Sequence, residues 1–112
     1  MTENEIGGVL IETAIQVHRK IGPGLMESVY EAIMAQQLCR KGLEVKRQVA
    51  IPIEYDGTRF AEGFRADLII NDKVIVELKC VETIHEAHKK QLLTYLRLSG
   101  IHLGYLLTTA NP

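Results

Sequence analysis

The chain has 112 residues, enough for one domain with one core, which we expect to span 1–112. Its 46% hydrophobic content and near-zero mean hydropathy exclude a disordered or membrane-embedded chain. Its 13 basic and 14 acidic side chains leave a net charge of −1, which argues against tight, autonomous nucleic-acid binding through phosphate contacts. Lys46, Arg47, Arg59, Arg65, Lys89, Lys90 and Arg97 could still form a local basic patch, or stand as ordinary solvated charges. The apolar runs are too short to cross a bilayer, and the acidic start is unlike a signal peptide, so a cytoplasmic location is expected. Cys39 and Cys80 have no metal-ligand spacing and read as reduced, buried thiols.

Thr2-Glu-Asn-Glu5 has the form of a capping box, followed by Ile6, Val9, Leu10, Ala14, Val17 and Ile21 at helical spacing. The first helix is therefore expected over about residues 3–20, ended by Gly22-Pro23-Gly24. A second helix follows from about Met26 to Lys41, with Gly42 as its stop. Glu27, Tyr30, Glu31, Met34 and Gln37 share one of its faces. From Glu44 to Tyr55 the period changes to two, and Pro52 favours a sheet edge. Asp56-Gly57 is a hairpin signal leading into a strand from about Arg59 to Ile70, bent near Gly63. A third strand covers Val74 to Val81. Thr83-Ile-His-Glu86 reads as a capping box opening a helix to Ser99, with Gly100 as its stop, and Ile101–Thr108 forms a last strand. The predicted order is α-α-β-β-β-α-β, with a mixed central sheet flanked by helices.

The charges within the second and third strands carry the chemistry. Asp67, Glu77 and Lys79 interrupt two apolar strands, where an unpaired buried charge costs several kcal/mol. Glu77 and Lys79 lie two apart and so share a face. A three-residue loop, Asn71-Asp72-Lys73, places Asp67 opposite Glu77, whereas a two-residue turn at Asn71-Asp72 would pair Asp67 with Val76. We take the three-residue loop. Two carboxylates and an ammonium at one place suit Mg²⁺ or Mn²⁺ acting on a phosphodiester, with Lys79 orienting water or stabilising charge. The same residues also read as a Glu77–Lys79 ion pair on a solvated strand face, and Glu44-Val45-Lys46 repeats the spacing without an accompanying Asp.

Glu27 and Tyr30 sit one helical turn apart. Glu27 reads either as a helix-start acid or as a further ligand near the strand carboxylates. Gln91 and Tyr95 share a face of the last helix with His88, and Gln91 could reach a phosphate or satisfy a backbone group. Cys80, His85 and His88 lack the second ligand pair of a zinc site, and His18 and His102 read as structural. No P-loop is present, and no Ser or Cys is paired with His and Asp at a spacing that supports nucleophilic catalysis.

Gly24, Glu27 and Tyr30, with Arg47-Gln48, Tyr55-Asp-Gly57, Asp67, Glu77-Leu-Lys79 and Gln91-Leu-Leu-Thr-Tyr95, resemble the small bacterial GxxExxY proteins across nearly the whole chain. That family looks like a branch of the PD-(D/E)xK nuclease superfamily, so the resemblance implies a restriction-endonuclease-like core and a Mg²⁺- or Mn²⁺-dependent nuclease acting on nucleic acid, with DNA favoured. It implies metal ligation by Asp67, Glu77, the Leu78 carbonyl and Glu27, catalysis by Lys79 with support from Glu27 and Gln91, and substrate contacts from Tyr30, Gln48 and Tyr95. The alternative is a non-catalytic module binding nucleic acid or protein on the same fold. A third possibility is a subunit that cuts only as a homodimer or when recruited by a protein partner.

Overall fold

The computed structural model describes residues 1–110 (of Glu62, the backbone alone). Its elements follow the predicted order: α1 (Glu3–Ile21), α2 (Glu27–Arg40), β1 (Val45–Tyr55), β2 (Thr58–Ile70), β3 (Val74–Lys79), α3 (Glu86–Ser99) and β4 (Leu103–Thr108). The capping box of α1 is present. The Glu5 N–H donates to Thr2 Oγ1 at 3.2 Å and the Thr2 N–H to Glu5 Oε1 at 2.9 Å, satisfying two amides that the helix leaves open. The second expected box does not form. α3 begins at Glu86 rather than Thr83, because His88 Nδ1 reaches back to accept the His85 N–H at 3.1 Å and so performs the role assigned to Glu86.

The sheet has four strands in the order β1-β2-β3-β4. β1, β2 and β3 are antiparallel neighbours, and β4 returns parallel to β3 through the α3 crossover. Pro52 lies on an edge strand, and the β1–β2 register shifts between Ile51 and Ile53, on either side of it. Gly63 stands opposite this irregularity. A Cβ there would lie 2.5 Å from Ile53 Cγ1 and 2.6 Å from the Ile51 carbonyl oxygen, so the close approach requires glycine. The hairpin turn at Asp56 (φ 53°) and Gly57 (φ 76°) has both central residues left-handed, which matches the twist of the flanking strands.

Between β2 and β3 the turn is the three-residue loop Asn71-Asp72-Lys73, and Ile70 pairs with Val74. The cores on the two faces fix this register. Leu68, Ile70, Val74, Val76 and Leu78 pack against Ile6, Leu10 and Leu38 of α1 and α2. Ile69 and Ile75 join Leu92 and Tyr95 of α3 on the opposite side. Each fully buried aliphatic contributes about 1.5–3 kcal/mol relative to exposure, so a one-residue slip of β3 would forfeit several such terms together. The packing that holds β3 therefore also decides which residue faces Asp67. Among the described residues, no helix is long and apolar enough to cross a membrane. Both cysteines are exposed and unpaired, contrary to the buried thiols expected, because Cys39 lies outside the apolar stripe of α2 and Cys80 lies just past the end of β3.

Candidate active site

Continuing the β2–β3 register beyond Leu68↔Val76 brings Asp67 opposite Glu77, but no backbone ladder closes there. Side chains take over instead. Glu77 Oε2 accepts the Asp67 N–H at 2.7 Å, and Asp67 Oδ2 accepts the Leu78 N–H at 2.8 Å. The carboxylates thus occupy the places of backbone carbonyls where the two strands separate. The N–H and C=O of one strand residue point the same way, so the Leu78 carbonyl is directed toward the same gap. Lys79 directs its backbone to β4, where its carbonyl accepts the Thr109 N–H at 3.0 Å.

Burial sets the electrostatics. Glu77 is only 3% exposed, and burial pushes its carboxyl up from 4.5 to about 7. The Asp67 amide opposes this rise, the Asp67 charge adds to it, and the Lys79 ammonium opposes it again. Burial also raises Asp67; the Leu78 amide counters that and the Glu31 charge reinforces it. Among the described residues, no basic side chain comes within ion-pairing distance of Asp67 or Glu77, so the solvated Glu77–Lys79 pair considered from sequence does not form. The half-buried Lys79 still lies near enough for its charge to favour ionisation of both acids.

The neighbouring acid on α2 is Glu31, not Glu27. Glu31 is 5% exposed and is held by Arg47 through Nε and Nη2, each at 3.0 Å from Oε2. Its other oxygen accepts from Gln48 Nε2 at 2.5 Å, and the same nitrogen reaches Asp67 Oδ1 at 3.3 Å. The signal for Glu31 was present in the sequence. It lies one turn after Glu27 on the same helix face, with Arg47-Gln48 available to meet it, but only the packing of α2 against β1 brings the groups together. Glu27 is exposed and accepts the Cys80 N–H at 2.6 Å, which anchors the chain immediately after Lys79.

Tyr95 is buried on α3 with its ring 4.8 Å from that of Phe64, and its hydroxyl pKa is raised by burial and then by the charges of Glu77 and Asp67. Gln91 is half-buried one turn earlier, and its side chain makes no hydrogen bond to another described residue. Tyr30 is placed elsewhere. It is 3% exposed, with its hydroxyl donating to the Gly22 carbonyl and lying 3.4 Å from His18 Nδ1. Several of the basic side chains considered for a patch are engaged. Lys46 pairs with Asp72, Arg47 with Glu31 and Lys89 with Glu86, and Arg65 donates to the Gln48 carbonyl.

No three His, Cys, Asp or Glu side chains among the described residues form a complete metal ligand set, and His85 with His88 serves the start of α3 instead. The donor set nevertheless fits a hard divalent cation. A buried and a half-buried carboxylate without an ion-paired cation among the described residues, beside a backbone carbonyl, match an ion that prefers oxygen and retains several waters. A mixed sheet flanked by helices, with paired acids where its strands part and a lysine two residues on, defines a nuclease-like fold. Residues 4–111 match the family model of the PD-(D/E)XK nuclease superfamily, and the chain belongs to that superfamily. Its nucleases typically use divalent metals. No curated protein and no solved structure matches the chain.

Proposed function

We propose that this chain is a Mg²⁺- or Mn²⁺-dependent phosphodiesterase that cleaves nucleic acid, with DNA the favoured substrate. The observation that carries this reading is the Asp67–Glu77 pair, with Glu77 buried and Asp67 half-buried, whose charges have no ion-paired cationic side chain among the described residues. Asp67, Glu77 and the Leu78 carbonyl would hold the ion, and Glu31 is the next acid able to join them. A bound divalent cation would neutralise charge on the phosphoryl oxygens and make water a better nucleophile at neutral pH. Lys79, free of any competing ion pair among the described residues, orients the attacking water or stabilises charge on the phosphate. Glu27 holds the Cys80 amide and thereby fixes the strand end that presents Lys79. Tyr95, buried against Phe64 but with its hydroxyl under the influence of the Glu77 and Asp67 charges, is retained as the proposed substrate contact. Gln91 lies one turn earlier on the same helix face and would support the water network once substrate is bound.

We further propose that, within the superfamily, the chain is one of the GxxExxY proteins, a reading that Gly24, Glu27 and Tyr30 support, and that it acts in the cytoplasm. Gly24 adopts φ 102° three residues before α2, and Glu27 and Tyr30 bind the backbone of Cys80 and Gly22. Net charge of −1 and the engagement of Lys46, Arg47 and Lys89 in ion pairs favour weak substrate affinity for the isolated chain, reinforced by a second copy or a recruiting protein.

The test incubates native protein, Glu77→Gln and Lys79→Ala with single- and double-stranded DNA and RNA, with Mg²⁺, Mn²⁺ or EDTA. Calorimetric metal titrations run alongside. Metal-dependent cleavage is expected in the native protein, with metal binding lost in Glu77→Gln. Lys79→Ala should retain the metal while cleavage falls about 100- to 1,000-fold. A native protein that binds neither ion would refute the enzymatic reading. Salt-dependent DNA binding without cleavage would favour the non-catalytic module.

A further inference from the structure

Between Val45 and Ile51, before its register shift, the β1–β2 ladder skips one pair. Arg47 pairs with Leu68 and Val49 with Ala66, but Gln48 and Asp67, which the same register would pair, do not. Gln48 lies at φ 50°, in the left-handed region that side chains beyond glycine rarely adopt, and its carbonyl accepts from Arg65 Nη1 at 3.3 Å. Asp67 is consequently free of the backbone ladder toward β1 as well as toward β3. Glycine would tolerate this backbone more readily, so the glutamine side chain must itself be useful there. Its carboxamide lies between Glu31 Oε1 at 2.5 Å and Asp67 Oδ1 at 3.3 Å. Ionised carboxylates only accept hydrogen bonds, so the amide nitrogen, not its oxygen, must face both.

We propose that Gln48 is a positioning residue for Asp67, rather than the substrate contact expected from the family resemblance. Its role in metal binding rests on the functional reading above. The positioning chain starts at Arg47, whose guanidinium grips Glu31 through two nitrogens. Glu31 then anchors the Gln48 amide, and the amide restrains Asp67 Oδ1 while the Leu78 N–H restrains Oδ2. With both oxygens restrained, the carboxylate keeps one orientation although no strand ladder holds its backbone. The amide also places a donor between two acids that would otherwise repel. The unusual backbone at Gln48 thus serves two ends: it opens the ladder beside Asp67 and directs the amide into the opening.

Gln48→Gly and Gln48→Glu test the proposal. Glycine relieves the backbone but removes the amide, and glutamate keeps the length but replaces the donor with a third carboxylate. Two readouts are used: hydrogen exchange of the Leu78 amide in metal-free protein, and Mg²⁺ and Mn²⁺ affinity by calorimetry. Faster Leu78 exchange is expected in both variants, with metal affinity reduced about 10- to 100-fold. Gln48→Gly should do this while melting at or above the native temperature, which a purely structural role for Gln48 does not predict. Unchanged Leu78 exchange, or affinity that falls only in proportion to lost folded protein, would overturn the proposal. If the native chain binds no metal, the nuclease reading fails, and Leu78 exchange still decides whether Gln48 positions Asp67.

Discussion

Replacing Glu77 with glutamine should stabilise the metal-free protein, and the gain should depend on pH. Glu77 rises from 4.5 to about 7 in the fold, so between those values the folded state holds a proton that the unfolded chain has released. Stability contributed by this carboxyl is fully present below pH 4.5, declines as pH rises toward about 7, and is absent above it. A rise of this size corresponds to roughly 3 kcal/mol. The exposed rim at Gln48 admits water that screens part of it, so Glu77→Gln should gain about 1–3 kcal/mol at about pH 8. The introduced glutamine can still accept the Asp67 N–H through its amide oxygen, so the hydrogen bond survives while the buried charge is removed. For a domain of 112 residues this raises the melting temperature by roughly 4–15 °C. The assay is thermal and urea denaturation of both proteins in EDTA across the pH range. The variants should converge near pH 4 and diverge above neutrality. A constant difference at every pH, or a less stable Glu77→Gln at about pH 8, would refute the argument that burial of an unbalanced charge dominates here. Saturating Mg²⁺ should raise the native protein's melting temperature at that pH and leave Glu77→Gln unmoved.

Three further outcomes follow from individual contacts. Arg47→Ala leaves the carboxylate of Glu31 buried without its ion pair and should cost about 1–3 kcal/mol in urea unfolding; a neutral result would mean that solvent reaches Glu31. Gly63→Ala drives a Cβ into Ile53 and the Ile51 carbonyl, and should destabilise by about 1–3 kcal/mol without changing the metal affinity of the folded protein. Tyr30→Phe removes the bond to the Gly22 carbonyl and should cost about 1 kcal/mol while leaving cleavage intact; a large loss of cleavage at full stability would restore Tyr30 as a substrate contact.

Local information in the sequence determined the element order, the Asp56-Gly57 hairpin and the acids at Asp67 and Glu77. These rest on period, turn chemistry and residue type within a few positions, which act before any long-range contact forms. The choice of a three-residue loop was legible because the alternative would have turned Asp67 away from Glu77, yet only the cores on the two faces enforce it. The identity of the acid beside the strand carboxylates was decided by tertiary structure. Glu27 and Glu31 lie on one helix face, and the way α2 meets β1 sends Glu31 to Arg47 and Gln48 while Glu27 goes to the Cys80 amide. The start of α3 was also misread locally, since Thr83 and His85 both precede suitable reciprocal partners and the fold used His85. Periodicity can say which side chains share a face. It cannot say how far two elements slide or rotate against each other, and that displacement determined which residues surround Asp67.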